Sequence, residues 1–283
     1  MKSNLFPGKS SLNLNGKLMS LDTAKVMGIL NITDDSFYDG GKYIKEEKYI
    51  ARVAQMLSEG ADIIDIGAQS TRPGSHEVGI EKELKSLIPV IQKIRREFPM
   101  AIISVDTYHS KVAEQSIISG ANMINDVSGG TFDMDMFDTI AHLQVPYILM
   151  HTSGKPEHMQ KNPIYDNVVK DVIYFLSKQL DRLNHLGVND VIIDPGFGFG
   201  KTMEHNYKIL KHLDHFQFLE TPIMVGISRK SMIYKPLNIT PNESLYGTVA
   251  LNMLALTKGA IMLRVHDVKQ AKEIIKLHQL FNA

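Results

Sequence analysis

The sequence predicts an α/β fold of the (β/α)8 barrel type, preceded by a short β-hairpin. Eight runs of aliphatic residues recur along the chain without polar alternation, as in parallel strands that are covered on both faces. They lie at 24–32, 61–66, 101–105, 122–127, 145–150, 191–193, 222–227 and 260–265. The chain has 283 residues, and one barrel of this type needs about 250.

Apolar residues with helical spacing fill the intervals between these runs. The longest stripe spans 169–183 and is followed by Gly187. Because glycine commonly ends helices, Gly187 is expected to mark the end of this one. Shorter stripes lie at 50–57, 84–94, 245–253 and 274–277. This alternation favours a closed parallel barrel, and a doubly wound open sheet of similar length is the competing fold.

The first 23 residues do not fit the alternation. The dipeptide Asn15-Gly16 is a strong hairpin signal when apolar residues flank it. The flanking residues are Leu12, Leu14, Leu18 and Leu21. We therefore expect a hairpin within 1–23 that covers the N-terminal mouth of the barrel, and a single domain over 1–283.

The composition excludes several classes of function. The 31 basic and 31 acidic residues balance, which argues against a broad nucleic-acid-binding surface. The chain has no cysteine, so disulfides and thiolate–metal sites are excluded. No apolar run approaches the roughly 20 residues of a membrane helix, and residues 1–20 lack the apolar core of a signal peptide. We expect a cytoplasmic protein that binds neither nucleic acid nor membrane.

Polar residues follow the apolar runs, at the strand ends where barrels place catalytic groups. They include Asn31, Asp106, Asn125, Asp194 and Arg264. Capping explains any one such Asn or Asp as well as function does, and Asp267 is expected to cap the last helix. Asp106 and Asp194 differ, because each directly ends an apolar run, where a carboxylate loses water and needs a partner.

Four of these polar groups suggest a planar, nitrogen-rich ring as ligand. Asp106 and Asp194 can each accept two N–H bonds from a ring edge, and Asn125 offers a donor and an acceptor. Lys230 can donate to a ring carbonyl. Such a buried polar network is stable when the ligand satisfies it.

A second subsite is expected to bind anions. Asn31, Arg72, Arg264 and His266 suit a phosphate or diphosphate, because Arg presents forked donors. The run Ser228-Arg229-Lys230-Ser231 enters a helix, whose N-terminus favours an anion.

The segment 195–202 resembles a nucleotide-binding phosphate loop, but Pro195 replaces its first glycine. We reject a nucleotide site on that ground. We expect the glycines of this segment to let the backbone approach a planar ligand, with Phe199 as a wall of the pocket.

Together, these motifs carry a family resemblance. The runs are Met27-Gly28-Ile29-Leu30-Asn31-Ile32-Thr33, Asp35-Ser36-Phe37, Ser70-Thr71-Arg72-Pro73-Gly74, Ser104-Val105-Asp106-Thr107, Ile124-Asn125-Asp126-Val127-Ser128-Gly129-Gly130, Met150-His151, 194–201, Ser228-Arg229-Lys230-Ser231 and 264–268. In this order they resemble dihydropteroate synthase, a TIM-barrel family of folate biosynthesis. The resemblance implies condensation of 6-hydroxymethyl-7,8-dihydropterin diphosphate with 4-aminobenzoate to give 7,8-dihydropteroate and diphosphate.

The resemblance also implies roles for individual residues. The pterin would be bound by Asp106, Asn125, Met150, Asp194, Lys230 and Arg264. The second substrate, 4-aminobenzoate, would be bound by Thr71, Arg72, Pro73, Phe199 and Ser231. The diphosphate would be bound by Asn31, Arg72, Arg264 and His266, with Asn31 near Mg²⁺. The catalytic set would be Lys230, Asp106, Asp194 and Arg264.

Further implications concern mechanism and assembly. Diphosphate would leave first, giving a pterin-stabilised carbocation that the free aniline nitrogen attacks. The family is a sulfonamide target and usually a homodimer, formed through helices late in the barrel. The sequence departs from the family at Asp34, Tyr38 and Gln69, in loops where order and affinity rather than the reaction would change.

Two alternatives share the pterin-binding groups. A corrinoid methyltransferase of the related pterin-binding barrels would lack the runs at 70–74 and 228–231, both of which are present. A non-catalytic pterin-binding paralogue would have lost loop residues, and the departures here are milder than that.

Overall fold

The fold is a closed parallel barrel with a hairpin at one mouth. A computed structural model describes residues 10–32, 42–68, 79–154 and 163–283 of the chain. The strands within these ranges are β1 Ser11–Leu14, β2 Lys17–Ser20, β3 Lys25–Asn31, β4 Ile63–Gly67, β5 Ile103–Asp106, β6 Met123–Asp126, β7 Tyr147–Met150, β8 Val191–Asp194, β9 Met224–Val225 and β10 Met262–Val265.

The barrel strands are parallel and pair in the order β8-β7-β6-β5-β4-β3-β10-β9. A parallel bridge between Ile193 and Ile223 joins the two ends of this sheet. The prediction of a barrel is therefore confirmed, and the competing open sheet is wrong.

Helices cover the outside of the barrel. Those within the described residues are α1 Lys42–Ser58, α2 Ile80–Glu97, α3 Ser110–Ile118, α4 Met136–Leu143, α5 Val168–His185, α6 Met203–Lys211, α7 Ser231–Tyr234, α8 Leu245–Thr257 and α9 Val268–Asn282. The five predicted stripes fall within α1, α2, α5, α8 and α9. Gly187 adopts φ +77° after α5, a left-handed conformation that suits glycine at a helix end. No described helix has the length and apolar character to cross a membrane.

The hairpin of β1 and β2 covers the N-terminal mouth, as predicted. Asn15 and Gly16 have φ of +51° and +87°, the left-handed pair that a tight hairpin turn needs. The hairpin packs an apolar cluster into the mouth, here called the N-terminal plug. Its buried residues are Leu12, Leu14, Met19, Leu21, Met27, Ile63, Met123, Ile148, Ile192, Met224 and Met262.

The apolar residues that flank the turn do not all face the barrel. Leu18 is 69% exposed, and its neighbour Met19 takes the buried position. Strand side chains alternate between faces, so β2 can present Met19 and Leu21 to the barrel while Leu18 faces solvent. Residues 3–9 of the expected hairpin region lie outside the described residues.

Candidate active site

The carboxyl ends of the barrel strands bring together the polar residues that the sequence singled out. Asp65, Asp106, Asn125 and Asp194 are all buried there, although each carries a charge or a polar amide. Buried polar groups cost free energy when they are unpaired, so the hydrogen-bond and ion-pair partners of these four residues determine how their side chains are oriented.

Arg264 of β10 is shared between two carboxylates. Its Nε lies 2.6 Å from Asp65 Oδ2, and one terminal nitrogen lies 2.7 Å from Asp106 Oδ2. Burial would lower the pKa of Arg264, but these two carboxylates outweigh it and raise the pKa. Burial raises the pKa of Asp106 to about 7, with Arg264 opposing the rise and Asp65 adding to it.

Asn125 of β6 donates from Nδ2 to Asp65 Oδ2 at 3.0 Å. Because an ionised carboxylate can only accept, this bond defines which end of the Asn125 carboxamide faces Asp65. Asn125 Oδ1 and Asp65 Oδ1 are buried and have no hydrogen-bond partner within the described part of the chain. Both oxygens can therefore accept a bond from a ligand or water.

Asp194 of β8, Lys230 and Arg264 converge around Gly226. A Cβ at Gly226 would lie 3.8 Å from Asp194 Oδ2, 3.9 Å from Lys230 Nζ and 3.8 Å from Arg264 Cβ. Burial raises the pKa of Asp194, an effect that Lys230 opposes. Burial lowers the pKa of Lys230 to about 8, with Asp194 opposing the fall. The three distances from a Cβ at Gly226 are ordinary contact distances, so position 226 lies directly against all three side chains.

The loop after β8 wraps around Lys230. Lys230 Nζ donates to the carbonyl oxygen of Phe197 and lies 4.6 Å from the centre of the Phe199 ring. Gly196 has φ +73°, and a Cβ there would lie 1.9 Å from the carbonyl oxygen of His151. Glycine is therefore required at position 196 because any side chain would clash with the protein backbone. The sequence had instead suggested that the glycines of this loop make room for a planar ligand.

Lys201 is buried and binds the same loop after β8. Its Nζ lies 2.9 Å from His151 Nδ1 and donates to the carbonyls of Gly196 at 2.9 Å and Phe199 at 3.0 Å. Burial lowers the pKa of Lys201 to about 7. Lys201, the lysine of the segment that resembles a phosphate-binding loop, thus uses its ammonium group to bind protein atoms. This agrees with the rejection of a nucleotide site.

An apolar wall completes the pocket. Met150 of β7 and Phe199 pack with Tyr108 and Val127, and Phe132 lies against the cluster. Phe199, predicted as a wall of the pocket, lies in this apolar cluster. Tyr108, Val127 and Phe132 were not anticipated, because nothing in a local pattern separates a wall residue from an ordinary core residue.

The residues predicted to bind an anion lie at the end of β3, just after β10 and in the loop that carries Ser228. Asn31 ends β3 with an exposed side chain. His266 Nδ1 lies 3.0 Å from Ser228 Oγ, and the His266 backbone N–H donates to the same oxygen at 3.2 Å. The Ser228 hydroxyl can donate to Nδ1 in the tautomer that carries the ring proton on Nε2. Burial and Arg264 lower the pKa of His266 to about 4, so the ring is neutral near pH 7.

Two expectations about this side are corrected. Asp267 stands at the start of α9 but makes no side-chain cap bond, and it instead pairs with Arg229 at 3.0 and 2.6 Å. Arg229 is thereby directed away from an anion role. The helix that follows Lys230, α7, has four residues, so its dipole adds little to anion binding.

Three predicted site residues, Thr71, Arg72 and Pro73, lie outside the described residues, as do the departures Asp34, Tyr38 and Gln69. Ser231 begins α7, next to Lys230. Among the residues that are described, no three His, Asp or Glu side chains group as a metal site. Asp65 was recognised only as a polar residue after the second apolar run, and no role was predicted for it.

Known proteins share this architecture and its sequence. Residues 27–266 match the family described as pterin binding enzyme. The dihydropteroate synthase of Haemophilus influenzae is 39% identical over 270 residues, which are 95% of this chain and 98% of the relative. The Yersinia pestis dihydropteroate synthase, solved with a sulfonamide drug, has a TM-score of 0.90 and 38% identity, covering 96% of this chain and 99% of that one. The Xanthomonas albilineans enzyme in complex with 7,8-dihydropteroate has a TM-score of 0.85 and 33% identity, covering 97% and 99%.

The chain therefore belongs to the family of pterin-binding enzymes. Within that family its relatives group it with the dihydropteroate synthases, which are transferases.

Proposed function

We propose that this chain condenses 6-hydroxymethyl-7,8-dihydropterin diphosphate with 4-aminobenzoate, and that the C-terminal mouth of its barrel is the catalytic site. The observation that carries this proposal is the convergence of Asp106, Asn125, Asp194, Lys230 and Arg264 from five parts of the barrel. The 7,8-dihydropteroate bound to the Xanthomonas albilineans relative supports the choice of substrates.

In this proposal the pterin ring lies between the polar cluster and the wall that contains Met150. Asp106 and Asp194 accept N–H bonds from the ring edge, and Asn125 Oδ1 accepts another. Lys230 donates to the ring carbonyl. Arg264 covers one face of the ring, a position that its two carboxylate partners stabilise.

The diphosphate lies on the opposite side, toward Asn31 and His266. His266 offers a neutral Nε2–H donor, Arg264 contributes positive charge, and Arg72 is proposed as a further donor. Dihydropteroate synthases use a divalent metal ion, and we propose that it is Mg²⁺ held in part by Asn31. One carboxamide oxygen together with substrate phosphate oxygens and water is a donor set that suits Mg²⁺. The ion would neutralise the negative charge that develops on the departing diphosphate.

The second substrate enters beside Phe199 and Ser231. The ring of 4-aminobenzoate packs against Phe199, and the Ser231 hydroxyl donates to its carboxylate. Thr71, Arg72 and Pro73 are proposed to contact the same substrate.

The chemistry then needs orientation and charge stabilisation more than proton removal. The C–O bond to diphosphate breaks, the electron pair leaves with the diphosphate, and the ring carries the cation. The aniline nitrogen attacks as a free amine, forms the C–N bond and releases a proton to water. The enzyme holds the two reactants together and offsets the developing charge.

Three further proposals concern the whole protein. Residues 1–283 form one domain, because a single sheet builds both mouths of the barrel. The protein acts in the cytoplasm, which suits a folate-pathway enzyme without cysteine. A homodimer forms through α8 and α9, where Tyr246, Leu254, Leu277, Leu280 and Phe281 expose apolar side chains.

The test is an assay of diphosphate release with both substrates present. We expect release that depends on 4-aminobenzoate, and inhibition by a sulfonamide that competes with it. A protein that binds the pterin without any 4-aminobenzoate-dependent product would be the non-catalytic paralogue. Methyl transfer from methyltetrahydrofolate would identify the corrinoid-dependent alternative.

A further inference from the structure

Asp65 contacts two of the groups proposed to bind the pterin, Asn125 and Arg264. It lies in β4 and is completely buried. Its Oδ2 accepts from Arg264 Nε of β10 at 2.6 Å and from Asn125 Nδ2 of β6 at 3.0 Å. One carboxylate oxygen therefore connects two strands on either side of β4 in the barrel order β6-β5-β4-β3-β10.

The bond to Asn125 determines what that residue presents to a ligand. A carboxamide can be turned through 180° with little change in shape, which exchanges its donor and acceptor ends. An ionised Asp65 accepts hydrogen bonds and cannot donate one, so it holds the NH₂ end toward itself. Oδ1 of Asn125 is then available as the acceptor, and no described residue donates to it.

The bond to Arg264 determines the plane of the guanidinium. Asp65 holds Nε while Asp106 holds one terminal nitrogen, so the guanidinium is held at two points. Without Asp65, Arg264 could rotate about its bond to Asp106. A planar ring stacked on that guanidinium would lose its defined surface.

We propose that Asp65 is a positioning residue of this enzyme, which sets the polarity of the Asn125 carboxamide and the plane of Arg264 for the pterin. The inference deepens the proposed function and rests on its pterin site. Asp65 also adds to the negative charge around Asp106, which is faced by Arg264, Asp65, Glu83 and Asp126.

The main test is Asp65→Asn, which keeps the shape and removes the charge. Binding of 6-hydroxymethylpterin is measured by calorimetry between pH 6 and 9, with steady-state kinetics alongside. We expect a ten- to hundredfold loss of pterin affinity, less than a twofold change in KM for 4-aminobenzoate, and an acid limb of pterin binding that moves to lower pH. Equal losses for both substrates and an unmoved limb would assign Asp65 a merely structural role.

Asp62→Asn is the matched control. Asp62 lies three residues earlier and pairs with Lys272 at 3.1 Å and the Val26 backbone N–H at 2.8 Å, away from the site. We expect this variant to bind pterin as the unmodified protein does. If it too lost affinity tenfold, loss of an acidic partner in general would explain the Asp65 result.

An exchanged pair covers the case in which Asp65→Asn does not fold. The double variant Asp65→Asn with Asn125→Asp keeps the net charge and a hydrogen bond between the two positions, but reverses its direction. Asp at position 125 still presents a carboxylate oxygen, an acceptor, to the ligand. If Asp65 acts by securing an acceptor at position 125, this folded protein should bind 6-hydroxymethylpterin within about tenfold of the unmodified protein. A loss of more than about a hundredfold would overturn the inference. Failure of the unmodified protein to bind 6-hydroxymethylpterin would instead overturn the proposed function.

Discussion

The two mouths of the barrel are built from the same strands but hold opposite chemistries. The N-terminal mouth is closed by the plug, which consists of aliphatic and methionine side chains from the hairpin and the strands. The C-terminal mouth, two residues further along several of those strands, holds buried carboxylates, an amide and two cations. The paired positions are Ile63 and Asp65, Met123 and Asn125, Ile148 and Met150, Ile192 and Asp194, and Met262 and Arg264.

This difference follows from the two-residue period of a strand, which returns each side chain to the same face. Apolar packing at one mouth stabilises the fold without reference to a ligand. At the other mouth Asp65 Oδ1 and Asn125 Oδ1 lack partners within the described residues, so that end is less stable than it could be. The barrel thus separates the residues that stabilise it from those proposed to bind substrate.

The largest expected effect comes from removing a cation at the C-terminal mouth. Lys230→Ala should lower kcat/KM by about 100- to 1000-fold, the usual cost of losing one group that stabilises charge in a transition state. The melting temperature should not fall, because burial already disfavours the Lys230 ammonium. Lys235→Ala, an exposed lysine of the same segment, is the control. Retained activity in Lys230→Ala would remove Lys230 from the site.

Breaking the N-terminal plug should give the reverse result. Leu12 is fully buried in the plug, so Leu12→Ala should lower the free energy of unfolding by about 2–5 kcal/mol, measured by urea denaturation. The kcat of the folded protein should be unchanged. Leu18→Ala on the exposed face of the same hairpin should change stability by less than about 0.5 kcal/mol. A plug variant that lost kcat while folded would show that the two mouths are coupled.

The charges of the C-terminal mouth should also define a narrow pH optimum. Asp106, whose pKa is raised to about 7, accepts a bond from the pterin when ionised, so kcat/KM should fall as the pH drops below that value. Lys230, whose pKa is lowered to about 8, loses its ammonium as the pH rises above it. Each limb should approach a tenfold fall per pH unit.

His266 should add no limb to that profile, because its pKa of about 4 leaves it neutral throughout. The variant Lys230→Arg should lose the alkaline limb, since arginine keeps its charge. A profile that stays flat from pH 5 to 9 would contradict these roles for Asp106 and Lys230.

Much of this arrangement was readable in the sequence. Eight apolar runs predicted the barrel, and Asp106, Asn125 and Asp194 were predicted as site residues from their strand-end positions together with their combined chemistry. Asp267 misled the analysis, because an acidic residue at a helix start is ordinarily a cap, and here a distant Arg229 competes for it. The burial of Met19 rather than Leu18 in β2 was not predicted, since composition does not say which face of a strand is buried.

The sequence by itself determined the order of strands and helices, the hairpin turn at Asn15-Gly16, and the family of the chain. These depend on local spacing and on residue types at consecutive positions, which can be read along one dimension. The tertiary structure decided which charges share a partner. Asp65, Asn125 and Arg264 lie far apart in the chain and meet because closing the barrel brings β4, β6 and β10 around one interior. The contacts that orient the site therefore arise from barrel closure, which no local pattern contains.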